Sequence, residues 1–427
     1  MTRTQGTAGS PAPARAGFAR RLCAWLLPLA ALYATDALAV PSYSRQTGQE
    51  CAACHIGAFG PALTPYGMRF KLGGYTDSDG QGRKVPVSAM AVGSVTHTAT
   101  ADDGGKLTHA DLAEASVFLA GRVTDHIGSF TQVTYDGLEH KTALDLLDVR
   151  YATTRQINGK DTILGVSINN APTLTDPLNT LPAWGYPYVS APRGAGAGGA
   201  EFTGIGGLEG TVIGASGYAL WNDHLYTEVG SYRSLSPSAL SRIGVGRDAS
   251  PGILHGSTYW RAAWLGDAPH GDWSMGVFGN NGSLESREDG TRTARFRDLG
   301  VDGSYQFLGT RKHVVAVNGS FLRERDSIAH DSVSEGKLNA AYHFRNTWGG
   351  SVGLFNATSD SGANENRGYI LQADWTPWGK EDSWQAPWAN LRLGVQYVGF
   401  DKVRDETGAR EKASDSNSLH FFVWTAF

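Results

Sequence analysis

From about residue 86 onward the chain repeats one pattern: short segments in which apolar and polar positions partly alternate, broken by turns rich in Gly, Asp, Asn, Ser or Pro. A period of two puts successive side chains on opposite faces of a strand, whereas a helix repeats its apolar positions every three to four residues. The pattern predicts strands near Val87 to His97, Asp111 to Val123, Gly128 to Tyr135, Leu144 to Ala152 and Thr162 to Asn169. After a long gap come Thr211 to Trp221, His224 to Tyr232, Ser257 to Leu265, Trp273 to Gly279, Arg297 to Phe307 and His313 to Leu322. Lys337 to Phe344, Gly349 to Phe355, Tyr369 to Trp375, Asn390 to Gly399 and Ser418 to Phe427 complete the set. That makes about sixteen strands of about ten residues, an even number of the length that an outer-membrane barrel uses.

Several segments sort cleanly into faces. Leu338, Ala340, Tyr342 and Phe344 fall on one side, and Asn339, Ala341, His343 and Arg345 on the other. Leu391, Leu393, Val395 and Tyr397 alternate in the same way with Arg392, Gly394 and Gln396. Apolar residues facing lipid and polar ones facing a wet or plugged lumen satisfy this pattern. A soluble β-sandwich or barrel also alternates, with its apolar face buried. Trp348, Trp375, Trp378 and Trp388 stand near segment ends, where interfacial aromatics gather. In the last segment Leu419, Phe421, Val423, Thr425 and the final Phe427 share one face. A terminal aromatic on an alternating strand resembles the signal that barrel-assembly machinery reads. The irregular stretch Ala171 to Gly210, rich in Pro, Gly and Ala, reads as a long loop folding into the lumen and narrowing it. Its glycines lack the Lys-Ser/Thr of a phosphate loop. Asp77 to Gly80 reads as a turn rather than a calcium loop.

Composition agrees with a mainly β protein: of 427 residues 55 are Gly, with 16 Tyr, 16 Phe, 12 Trp and only 4 Met. A formal net charge of -4 argues against a nucleic-acid partner. Arg15, Arg20 and Arg21 precede an apolar run from Leu22 to Tyr33, and Ala37-Leu38-Ala39 reads as a cleavage site. Residues 1 to 39 are therefore expected to be an export signal, the run being too short to span a bilayer. Cys23 reads as an ordinary member of that run. Two cysteines then remain, Cys51 and Cys54.

Cys51-Ala52-Ala53-Cys54-His55 is the C-x-x-C-H attachment pattern for one c-type haem. Two thiols one helical turn apart can add to the two vinyl groups of a porphyrin, and the histidine that follows lies under the iron as proximal ligand. A zinc site would need further Cys or clustered His nearby, and a thioredoxin-like site a βαβ context; neither is present. Met68 is a candidate distal ligand or else a packing residue, and Met90, His97 and His109 are more distant candidates.

The run Val40-Pro41-Ser42-Tyr43-Ser44-Arg45-Gln46-Thr47-Gly48, the haem motif, and then Leu63-Thr64-Pro65-Tyr66-Gly67, Phe70-Lys71-Leu72 and Gly74-Tyr75-Thr76 carry a resemblance. This pattern resembles the fused outer-membrane cytochrome–porins, best known from the iron-oxidising cytochromes of iron bacteria. The resemblance is specific over residues 40 to 76 and architectural over the barrel, with Asn390 to Tyr397 and the terminal strand as further echoes. It implies a small monohaem domain over residues 40 to 85, seated in or against the periplasmic end of a barrel formed by residues 86 to 427. Cys51 and Cys54 would attach the haem and His55 would ligate it. Met68 stands where many relatives carry a polar or basic residue. The implied activity is electron transfer across the bacterial outer membrane, an Fe(II) oxidase taking electrons from extracellular Fe(II) and passing them to a periplasmic cytochrome. Two alternatives stay open: a porin whose haem domain plugs or gates solute passage, and a soluble periplasmic haem electron carrier.

Overall fold

Strand Asn366–Trp375 shows why this chain folds as it does. Tyr369, Leu371 and Trp375 are exposed, while Gln372 and Asp374, which alternate with them, are buried. A soluble sheet buries the opposite set, so apolar-out and polar-in marks a wall between lipid and a polar interior. Val117, Val229, Val301, Leu338, Leu354 and Phe421 continue the outward apolar belt around the molecule. The soluble-carrier alternative would need these side chains covered, and they are not. The computed structural model describes residues 41–427 apart from 83, 102, 103, 187, 188, 195–199, 381 and 382. The expected export signal, with Cys23, lies outside the described residues. The described residues belong to one compact unit.

The strands are β1 (Val87–Thr98), β2 (Thr108–Arg122), β3 (Ile127–Asp136), β4 (Lys141–Ile157), β5 (Lys160–Asn169), β6 (Val212–Trp221), β7 (Leu225–Ser234), β8 (Ile253–Leu254), β9 (Ser257–Ala268) and β10 (Gly271–Glu285). They continue as β11 (Arg292–Phe307), β12 (His313–Asp326), β13 (Asp331–Phe344), β14 (Trp348–Ser359), β15 (Asn366–Trp375), β16 (Asn390–Val403) and β17 (Ser418–Ala426). Every long strand pairs antiparallel with its neighbours, and β1 pairs with β17 from Met90↔Ala426 to Thr98↔Ser418. This closes the ring, and a closed ring leaves no edge to satisfy in lipid. β8 is a two-residue strip against Leu284 and Glu285. The sixteen long strands match the sixteen expected segments one for one. Several overshoot the expected limits, β10 to Glu285 and β13 back to Asp331 among them.

Connections differ between the two ends. Where β1 begins and β17 finishes, most turns are tight, such as Asn158-Gly159, whose positive φ values (53° and 72°) suit a two-residue hairpin, and the connection 376–389 between β15 and β16 is the long exception. The opposite end carries the longest connection, residues 170–211, and a second with helix Pro237–Arg242. Outer-membrane-type barrels turn their short connections to the periplasm. Trp348, Trp375 and Trp388 are exposed near this turn end, and Trp348 stacks on Trp375 with centroids 5.7 Å apart.

Two inserts fill the lumen. Residues 41–86 contribute short helices at Pro41–Thr47, Cys51–Cys54 and Pro65–Leu72. The 170–211 connection also folds inward, as expected, and lays Leu181, Ile205 and Leu208 on Tyr232, Tyr259, Phe278 and Phe296 of the wall. Inward apolar residues thus occur in the wall where an insert presses on it.

Candidate functional site

The first insert is tied to the wall before it reaches the cysteines. Gln46 Nε2 donates to the carbonyls of Tyr75 (2.8 Å) and Asp77 (2.7 Å), and its Oε1 accepts from Arg122 N at 2.7 Å. Arg45 Nη2 donates to Val87 O, and Tyr43 OH to Ser129 O, each at 2.7 Å. One buried glutamine therefore joins the two ends of the insert to the rim of β2.

Glu50 precedes helix Cys51–Cys54 and pairs at 2.9 Å with Arg311 in the β11–β12 turn. Cys51 and Cys54 are free thiols, both half-buried, on a helix whose intervening Ala52 and Ala53 are buried. The main chain of this helix meets Thr64: Ala53 O accepts from Thr64 Oγ1 at 2.5 Å, and Cys54 O accepts from Thr64 N at 2.9 Å. Thr64 also caps the next helix, with Gly67 N donating to its Oγ1 at 3.2 Å and Pro65 in the first turn. A Cβ on Gly67 would stand 2.3 Å from Cys54 O. The sequence Thr64-Pro65-Tyr66-Gly67 is thus a cap, a starter and a crossing point that brings one helix against the other.

His55 follows directly and bridges to Leu63, closing the loop between them. Its Nδ1 is buried without a hydrogen-bond partner. Burial pulls its pKa down to about 4, against the opposing pull of the Ala62 and Pro61 carbonyls. The ring is therefore neutral, the form in which imidazole ligates a metal. Burial pushes the Cys51 thiol up to about 11 and the Cys54 thiol up to about 12. These groups fit a covalently held haem: two unpaired thiols a turn apart and a neutral histidine with a buried nitrogen unclaimed.

The loop after His55 rests on the barrel. Gly57 has φ 70°, and a Cβ there would meet the His343 ring of β13 at 2.5 Å. Asn390 Nδ2 donates to Ala58 O (2.7 Å), Gln306 Nε2 to Leu63 O (2.9 Å), and Phe59 meets Trp424 edge-on at 4.5 Å. β11, β13, β16 and β17 all hold the motif near the turn end.

Cys51, Cys54 and His55 are brought together; the other candidates are not gathered with them. Met68 is 4 % exposed among Leu72, Leu178, Tyr218, Leu220 and Tyr226, a packing environment, beside a cavity of about 260 Å³. His97 is exposed and bonds to Thr108 at the loop end, His109 is likewise there, and Met90 lies on β1. No group of three or more His, Cys, Asp or Glu capable of holding a metal ion occurs among the described residues. Asp77 to Asp79 is irregular and Gly80 a bend, and Asp79 Oδ1 accepts from Gln81 N at 2.8 Å.

Residues that sequence reasoning missed lie deeper. Lys71 is 2 % exposed and donates to Leu174 O (2.8 Å), Asp176 O (2.6 Å) and Asn179 Oδ1 (2.5 Å), with its amine 4.4 Å above the Trp184 ring. Arg150 pairs with Asp148 at 2.7 Å, both fully buried, and Tyr75 OH donates to the same carboxylate at 2.7 Å. The remaining guanidinium nitrogens lack hydrogen-bond partners and face the Tyr75 and Tyr218 rings at 5.4 and 5.3 Å. Arg261 pairs with Asp176 (3.0 Å) and Asp302 (2.8 Å). A lone lysine in Phe70-Lys71-Leu72 carries no local sign of burial, because its partners are carbonyls a hundred residues away.

No family model and no curated protein matches this chain. Among solved structures it is similar to in-vitro folded OmpT, an outer membrane protein of Vibrio cholerae, at 11 % identity and TM-score 0.46, over 82 % of this chain and 99 % of that one. It is similar to an anion-selective porin from Comamonas acidovorans at 7 % identity and TM-score 0.47, over 80 % and 98 %. The outer membrane channel DcaP of Acinetobacter baumannii follows at 12 % identity and TM-score 0.45, over 80 % and 96 %.

Proposed function

We propose that this outer-membrane-type barrel is a monohaem cytochrome–porin that moves electrons across the outer membrane, from extracellular Fe(II) to a periplasmic cytochrome. The observation that carries the reading is the C-x-x-C-H segment built into the lumen, its two thiols unpaired and the buried Nδ1 of His55 unclaimed. When bound, haem iron supplies one-electron chemistry that side chains alone do not offer. The chain's own part is positional. Cys51 and Cys54 would hold the haem covalently, and His55 would ligate its iron. Glu50 with Arg311, Asn390 and Gln306 fix that segment against the wall. The outward apolar belt insulates the route from lipid.

The test is an absorbance spectrum of the detergent-solubilised protein, produced with haem-attachment machinery, before and after adding Fe(II). A c-type spectrum that Fe(II) reduces supports the proposal, and Cys51→Ala with Cys54→Ala should abolish haem staining on a denaturing gel. Reduction by dithionite but not by Fe(II) keeps the cytochrome and removes iron as donor. Absence of covalent haem overturns the reading.

A further inference from the structure

The inward face of β13 is a ladder of Glu335, Lys337, Asn339, Ala341 and His343, with Leu338 and Tyr342 exposed on the other face. Eight residues of strand rise about 27 Å, comparable to the height of an outer-membrane apolar band. Two small cavities follow this ladder. The upper, of about 40 Å³, is lined by Thr180, Asn318, Ser320, Glu335 and Lys337, and the lower, also about 40 Å³, by Gly57, His343, Ser351, Asp374 and Arg392. Tyr186 and Asn339 line both.

Tyr186 stands between them. Its hydroxyl accepts from Asn318 Nδ2 at 2.8 Å and from Asn339 Nδ2 at 3.0 Å, so two neighbouring strands hold it. Its ring packs on Ile56, Ala62, Val314 and Ala316, so the insert supports it from below. A cavity of this size admits a few water molecules. An ion with its hydration shell does not fit unless the ring leaves. We propose that Tyr186 is the constriction residue of a water path along β12–β14, closing it to hydrated ions. The charges along the path occur as pairs of opposite sign, Lys337 with Glu335 at 2.8 Å and Arg392 with Asp374 at 2.9 Å. With the ring removed, small ions of either sign should pass with little preference. The inference needs no haem.

The experiment uses the full chain in planar bilayers. Wild type should show little conductance, Tyr186→Ala discrete openings at least about tenfold larger with a reversal potential near zero in a salt gradient, and Tyr186→Phe brief openings, since it keeps the ring but loses both amide bonds. Equal conductance in wild type and Tyr186→Ala, with folding verified by mobility on an unboiled gel, overturns the inference. Should Tyr186→Ala not fold, Ser351→Cys below the ring decides. With Tyr186 present it should resist a bulky charged thiol reagent added from the loop end, and with Tyr186→Phe it should react faster; equal rates overturn the inference. Haem staining of the same samples separates the two ideas: a haem-free protein that behaves as described sinks the proposed function alone.

Discussion

The two halves of the lumen solve one problem in opposite ways. Against β4–β11, apart from the cavity of about 260 Å³ beside Met68, buried charges are closed into fixed partnerships: Arg150 with Asp148 under the Tyr75 and Tyr218 rings, Arg261 with Asp176 and Asp302, and Lys71 among carbonyls. Against β12–β16 the polar side chains line small cavities and bond to one another or to single loop groups. A charge buried without water must be met by fixed partners, while a charge beside a cavity keeps water as a spare partner. The fixed pairs should therefore lock the inserts, and the cavity-lining groups should yield to change.

The sharpest way to break this comparison is to remove one carboxylate from each half. Asp148→Ala leaves Arg150 fully buried and uncompensated, and denaturant unfolding in detergent should show a loss of about 3–5 kcal/mol. Asp374→Ala does the same to Arg392, but that guanidinium lines a cavity where water can take over, so the loss should be smaller than for Asp148→Ala. Equal losses would end the distinction. Next in size, Lys71→Met keeps the volume and removes three hydrogen bonds from buried acceptors, at about 1–3 kcal/mol. Limited proteolysis should then cut within residues 41–86, which wild type protects. Gly57→Ala should cost about 1–2 kcal/mol for its left-handed backbone, plus the His343 clash. Adding His343→Ala should restore the clash portion only; full rescue would show that the backbone angle does not matter there.

A different kind of effect is a pH slope. Burial, with nearby Asp145, raises the Glu209 carboxyl to about 8. A carboxyl raised in the folded state binds its proton more tightly than in the unfolded chain. Stability from this group is thus complete at acid pH and is lost as pH rises through about 8. Thermal melts should fall across that window in wild type, and Glu209→Gln should flatten the fall.

The barrel was legible because lipid enforces the alternation: Leu338 and Leu371 must face out, and every second residue must not. Legibility faded where strands run past the apolar band, as at Arg292–Ala294 or Asp331–Glu335, since neither face there meets lipid. The grouping of Cys51, Cys54 and His55 was legible as a local pattern of spaced thiols and an adjacent histidine. Tyr186 was not, because it sits in an irregular Gly- and Pro-rich loop, and only the meeting of Asn318, Asn339 and Ile56 around it gives it a role. Lys71, Arg150 and Arg261 were hidden for the same reason: their partners are joined by the closure of the ring, not by neighbourhood along the chain.

That closure also sets an order of events. The first insert precedes β1 along the chain, yet it bonds to Ser129 on β3, Asp148 on β4, Tyr218 on β6, Gln306 on β11 and Asn390 on β16. Its seat is therefore incomplete until nearly the last strand has arrived. When β17 zips against β1, the hoop closes around an insert whose hold on the wall is completed by the same step.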